Sequence, residues 1–223
     1  MIRSKLFLVL AGLLILSAPG FANPIDSFDT NGPDIELTGS DSAAQYQACP
    51  ECIGGYRILD IVVTSTDSHA ITQFYVFDGN LTLNTGSGAT PIAKVIWDGS
   101  ADGTGDLNVD LLADNMKGIS IQVVDADHSP NVQFDITDGA SLLAVSDKSL
   151  PGPGNYFYPF DNFIQPAGFN WNDVSKIMMT ISGPVAIDLK LDLVETAIPE
   201  PSTLLLLGGG LLGLCFAGRR FKK

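Results

Sequence analysis

The run Val185-Ala-Ile-Asp-Leu-Lys-Leu-Asp-Leu193 sends Val185, Ile187, Leu189, Leu191 and Leu193 one way and Asp188, Lys190 and Asp192 the other. A period of two marks a strand with one buried face, because a helix would scatter these residues around its axis. Shorter runs of strand-forming residues recur at 56–64, 71–77, 80–84, 92–97, 107–111, 119–124, 132–136, 141–145 and 174–181. Turn signals such as Asp78-Gly79, Asp138-Gly139 and Ser182-Gly-Pro184 separate them. No ten-residue stretch between the chain ends has a helical period. The spacing predicts an all-β, antiparallel β-sandwich of jelly-roll type.

Composition agrees with that pattern. Aspartate outnumbers glutamate by 21 to 4, and 23 glycines and 13 prolines supply turns. Charge is unevenly placed. Residues 23–197 hold 24 of the 25 acids but only 6 of the 12 bases, a formal charge of −18. Such a surface repels nucleic acid and favours solubility and divalent cations, so DNA and RNA are excluded as partners.

Both ends are apolar. Met1-Ile-Arg-Ser-Lys5 is basic, 6–16 is unbroken apolar sequence, and Gly20 and Ala22 place small residues before a cleavage point between Ala22 and Asn23. This predicts a signal peptide over 1–22, removed by signal peptidase. No cysteine lies near the cut, which argues against a lipid anchor. At the other end, Pro199-Glu200-Pro201 precedes a Gly-rich apolar stretch, and Arg219, Arg220, Lys222 and Lys223 close it. The stretch 201–221 is long enough to span the inner membrane, with the basic cluster held on the cytoplasmic side. Pro-Glu-Pro, short apolar helix and Arg-Arg, in that order, resemble the PEP-CTERM sorting signal. The resemblance covers 198–223. It implies recognition by an exosortase of a Gram-negative cell that makes exopolysaccharide, followed by cleavage near Pro199-Glu200-Pro201 and delivery to the surface or medium.

Residues 23–197 form the expected ectodomain. It opens with Ile25-Asp-Ser-Phe-Asp29, passes Gly54-Gly55-Tyr56-Arg57 and Val95-Ile-Trp-Asp98-Gly99, and later reads Phe160-Asp-Asn-Phe163 and Phe169-Asn-Trp171-Asn-Asp-Val174-Ser-Lys-Ile177. That order is similar to galactose-binding-like jelly rolls, including carbohydrate-binding modules. The resemblance implies a structural Ca2+ near the N-terminal segment, around Asp26, Asp29 or Glu36, with Asp192 on the last strand.

Other candidate chemistry is thinner. Cys49-Pro-Glu-Cys52 is the only CxxC, and in an oxidising compartment it predicts a local disulfide. His69 and His128 sit in Asp- and Ser-rich loops, and no Gly-x-Ser-x-Gly elbow accompanies them. With 21 aspartates at turns, no pair stands out as the two carboxylates of a glycosidase. The loop 98–110 gathers Asp98, Asp102 and Asp106 among glycines, a second candidate for Ca2+. It lacks the Asp-x-Asp-x-Asp-Gly spacing of an EF-hand and the closing bidentate Glu. Tyr156 and Tyr158 lie in the densest aromatic cluster and are the candidate sugar platform, whereas Trp97 and Trp171 suit a core. The reading favoured is an exported, non-catalytic matrix or glycan-interacting module with extracellular polysaccharide as partner. Its rivals are a purely structural surface or biofilm protein and a glycoside-active enzyme.

Overall fold

The computed structural model describes residues 22–198. Residues 1–21 of the expected signal peptide and the sorting residues Pro199, Glu200, Pro201, Arg219 and Arg220 lie outside them, as does the expected span 201–221, while the expected cut between Ala22 and Asn23 falls at the start of the first strand. Among the described residues no helix is long and apolar enough to cross a membrane.

The described residues form thirteen strands and three short 3-10 turns. The first seven strands are β1 (Asn23–Asp26), β2 (Ile35–Thr38), β3 (Asp41–Ala48), β4 (Tyr56–Ser65), β5 (Ile71–Phe77), β6 (Asn80–Thr85) and β7 (Ala89–Trp97). The remaining six are β8 (Gly118–Ala126), β9 (Asn131–Asp138), β10 (Leu143–Ser149), β11 (Gly154–Pro159), β12 (Val174–Ser182) and β13 (Leu189–Ala197). They make a seven-stranded sheet ordered β11-β8-β13-β6-β5-β2, with β1 on the edge of β13, and a six-stranded sheet ordered β10-β9-β12-β7-β4-β3. Every pairing is antiparallel. The result is the expected jelly-roll sandwich, with the chain crossing between sheets after most strands or hairpins.

The core lies between the sheets. Phe74, Val76, Leu81, Leu83, Ile119 and Ile121 come from one, and Leu59, Ile61, Val95, Phe134, Ile177 and Met179 from the other, all nearly inaccessible. Alternation along each strand places these residues inward and their neighbours outward. A second apolar cluster stacks Trp171 on Phe160, Phe163 and Phe169 with ring centroids 4.4, 5.2 and 4.7 Å away.

Several boundaries differ from expectation. The last strand begins at Leu189, because Val185–Asp188 form a turn in which Ala186 takes φ 60°. Its face also switches: a bulge between Leu191 and Leu193 leaves Leu193 half-buried and turns Val194 inward. Residues 107–111 are not a strand; they make only an isolated bridge from Val109 to Val174. Strands β1, β2, β3 and β11 were not foreseen. The first two have only four residues each, and β3 carries Asp, Ser, Gln and Ala rather than β-branched residues.

Candidate functional site

Two polar arrangements stand out, one buried and one exposed. The buried one joins the sheets. Arg57, on β4, is fully inaccessible, and its Nη1 donates to Asp26 Oδ1 on β1 at 2.8 Å. Its Nε donates to Gln47 Oε1 at 2.9 Å and its Nη2 to the Thr30 carbonyl. Its guanidinium carbon stands 5.6 Å from the centre of the Phe28 ring. Asp26 also accepts from the Phe28 backbone N–H at 2.8 Å and from Trp97 Nε1 at 2.9 Å. Burial pushes the Asp26 carboxyl above the ordinary carboxylate range, against the pull of Arg57. Beside this knot, burial raises the Glu51 carboxyl, but hydrogen bonds from Thr30 and the nearby Arg57 bring it net below its usual value. The motif residues Asp26, Phe28, Arg57 and Trp97, dispersed in sequence, thus meet in one structural joint.

This joint bears on the N-terminal calcium expectation. Asp26 is already neutralised by Arg57, a cation built into the chain, so a second cation there would face the guanidinium. Asp29 accepts from Ser27 Oγ at 2.8 Å, and Glu36 accepts from Gln73 Nε2 at 2.9 Å. Among the described residues, the only group of three or more His, Cys, Asp or Glu side chains within reach of one ion is Asp26, Cys49 and Cys52. Asp26, Asp29, Glu36 and Asp192 are therefore not gathered around a common point, and Asp192 sits instead at the β13 bulge. Cys49 and Cys52 are joined in a disulfide with Cα atoms 5.4 Å apart, which commits both sulfurs.

The expected sugar platform also fails on one side. Tyr158 is 0% exposed: its ring packs edge-on against Phe134 at 4.9 Å, and its hydroxyl donates to the Val132 carbonyl at 3.1 Å. Burial pushes its phenol far above the usual range. A ring enclosed in the core has no face for a sugar. Tyr156 is half-buried at the sheet edge and donates to the Gly152 carbonyl at 2.7 Å.

The exposed arrangement was missed by sequence reasoning. On β5, Phe74 and Val76 face the core, so Gln73, Tyr75 and Phe77 face outward. Phe77 is 60% exposed. With Asp34, these three line a surface depression of about 290 Å³, at the lower end of the range for small-molecule sites. Pairing continues the surface across neighbouring strands. Glu36 lies beside Gln73, Thr82 beside Tyr75, Asn80 beside Phe77, and Lys190 beside Thr82. The Phe77-Asp78-Gly79-Asn80 turn is held from outside, where Asn31 Oδ1 accepts from the Asp78 N–H at 2.9 Å. Chemically, this is two neighbouring ring faces on a rigid strand, fringed by carboxylate, amide and hydroxyl groups.

The histidines do not form catalytic sets. Ser68 Oγ and Asp67 Oδ1 approach the same nitrogen of His69, Nδ1, at 3.2 and 3.6 Å. A hydrolytic triad needs its carboxylate and its nucleophile on opposite ring nitrogens. His128 Nδ1 lies 3.1 Å from the Ala186 carbonyl.

Comparison with known proteins identifies the tail. Residues 197–220 match the PEP-CTERM protein-sorting motif. This motif indicates an exported, membrane-passing protein sorted to the cell surface, and it implies exosortase processing. No curated protein sequence matches the chain. Among solved structures, PfGH50B is 12% identical with a TM-score of 0.43, covering 72% of this chain and 24% of its own. The family 11 carbohydrate-binding module from Clostridium thermocellum, in complex with a β-1,3-1,4-mixed-linked tetrasaccharide, is 10% identical with a TM-score of 0.40. That match covers 81% of this chain and 97% of the module. The agarase AgWH50C is 12% identical with a TM-score of 0.40, covering 57% of this chain and 22% of its own. The chain thus spans about a quarter of the length of the first of these structures.

Proposed function

We propose that the exported domain, 23–197, is a non-catalytic glycan-binding module, and that it binds through the outward face of β5. The observation that carries this reading is the pair Tyr75 and Phe77 on one strand face, bordered by Asp34 and Gln73 in a shallow depression. The C–H groups of a sugar ring carry slight positive charge and are attracted to the electron-rich face of an aromatic ring, while hydroxyl groups bond to polar groups at the rim. Rigid aromatics lose little conformational freedom on binding. The domain's charge of −18 favours a neutral sugar polymer over an anionic one.

The rival from another class is glycoside hydrolysis. Glycoside hydrolysis needs a carboxylic acid of raised pKa beside a second carboxylate. Burial raises the carboxyls of Asp26 and Glu195. Neither lines the depression, and Asp26 is spent on Arg57.

The test is affinity electrophoresis through gels containing a neutral β-glucan or an anionic alginate. Retardation by the glucan and not by alginate is expected. Phe77→Ala and Tyr75→Ala each weaken it at least tenfold, since truncating a stacked ring removes about 1.5 kcal/mol or more. Equal mobility of the wild type and both variants in every neutral polysaccharide tried removes the glycan reading and leaves a surface-packing role.

A further inference from the structure

Among the described residues, the buried side-chain oxygens without a hydrogen-bond partner belong to Gln45, Thr72, Thr85 and Asp98. Three are neutral. The fourth is Oδ2 of Asp98, a carboxylate oxygen on a residue only 2% exposed. An unpaired buried charge is the costliest of these defects, and buried charges are ordinarily paired or bound to a metal. No cationic side chain forms an ion pair with Asp98, whereas Asp26 and Asp60 both have one.

The surroundings show where that oxygen points. Asp98 begins the loop Asp98-Gly-Ser-Ala-Asp-Gly-Thr-Gly-Asp106, in which every second residue bears a side-chain oxygen and the residues between are Gly or Ala. A methyl group placed on Gly103 would stand 3.9 Å from Asp98 Oδ2, so the oxygen lies against the turn at the loop's sixth position. A side chain at Gly105 would overlap the Asp98 carbonyl and Ser100, so the loop doubles back tightly on its own start. Ser100 donates to Asp98 Oδ1 from both its N–H and its hydroxyl, at 3.1 Å each. Thr104 likewise donates to Asp102 Oδ1 from its N–H and its hydroxyl, at 3.1 and 2.7 Å. Gly103 takes φ 77°, the left-handed conformation that a sharp turn around an ion demands. The loop keeps acids at its first and fifth positions and glycine at its sixth, with Ser100 at the third.

We propose that this loop is a calcium site, with Asp98 Oδ2 as a direct ligand and Asp102 as the second carboxylate. Ca2+ accepts irregular sets of oxygen ligands, including hydroxyls, backbone carbonyls and water, which suits a glycine-rich loop with two carboxylates better than the strict octahedron of Mg2+. Asp106 does not complete a three-carboxylate set, and its Oδ1 accepts instead from the Asn108 N–H at 3.3 Å. With two carboxylates the affinity belongs to the range of extracellular modules, a Kd of about 10⁻⁴ to 10⁻³ M. The site is separate from the β5 face, and its existence does not depend on glycan binding.

The test uses the exported protein purified from its native cell, stripped with EDTA and dialysed. Calorimetric titration with CaCl2 gives saturable binding. Thermal unfolding in 10 mM CaCl2 rises by roughly 3–10 °C over NaCl of equal ionic strength, and MgCl2 gives less than half of that rise. Asp98→Asn abolishes the calcium-specific rise. Asp102→Asn weakens calcium at least tenfold, and because Asp102 is exposed this variant folds normally. Asp192→Asn leaves the rise unchanged. Absence of calcium binding to the wild type, an undiminished response in Asp102→Asn, or loss of the response in Asp192→Asn overturns the proposal.

Discussion

Tyr158 shows how one residue's surroundings set both its role and its pH response. Its hydroxyl is buried and donates to a strand carbonyl, so the native state holds the phenol neutral well above its ordinary pKa of 10.0. For a group whose pKa is raised on folding, the stabilisation is complete below the unfolded value and is lost as pH rises from there towards the folded value. Denaturant unfolding of the wild type is therefore expected to show stability falling steeply above about pH 10. Tyr158→Phe flattens that limb and costs about 1 kcal/mol at neutral pH through the lost hydrogen bond. Identical alkaline slopes in both proteins contradict this assignment. Nothing in the pattern Asn155-Tyr-Phe-Tyr-Pro159 separates Tyr158 from its neighbours; the partner Ile119 across the ladder and Phe134 on the facing sheet do.

The β5–β6 hairpin shows what an element adds. Asp78 and Gly79 both have positive φ, 51° and 71°, the tight turn whose twist matches the flanking strands. The Asp-Gly pair announced this turn, and both strands were legible to within a residue. A methyl on Gly79 would lie 3.7 Å from Asp29 Oδ1, an ordinary contact, so Gly79→Ala is penalised by conformation and not by collision. The expected cost is about 1–2 kcal/mol, read as a fall in Tm of roughly 2–8 °C. An unchanged Tm would show that the turn has another conformation. Which side of β5 meets the core was not legible, because Ile71, Tyr75 and Phe77 are as apolar as Phe74 and Val76. The candidate face was missed for that reason. On β13 the alternation and its inward face were legible through Leu191, but the bulge after it was not, since a bulge shifts the register without changing composition.

At the scale of the whole molecule, the acidic domain and the sorting motif act separately. The motif at 197–220 overlaps the last strand only at Ala197, and Pro199-Glu200-Pro201 follows that strand, so cleavage at those residues removes no strand. In a cell lacking its exosortase, the full-length chain is expected to accumulate in the inner membrane fraction. Mass spectrometry of the wild-type product should then find termini at Asn23 and near Pro199-Glu200-Pro201. The same mature ends in the deletion strain sink the processing route.

By itself the sequence determined what depends on neighbours along the chain. Period-two alternation and Asp-Gly turns specified strands, because those rules act over two to four residues. The apolar run with Pro-Glu-Pro and Arg-Arg specified the export route, because sorting enzymes read a contiguous segment. Only the tertiary structure decided what depends on distant residues meeting. It placed Arg57 against Asp26, 31 positions earlier, and so paired that carboxylate with a guanidinium. It enclosed Tyr158, turned Tyr75 and Phe77 to solvent, and left one Asp98 oxygen buried without a partner. Burial and pairing are properties of the packed sandwich, and no local pattern encodes which of two apolar faces the opposite sheet will cover.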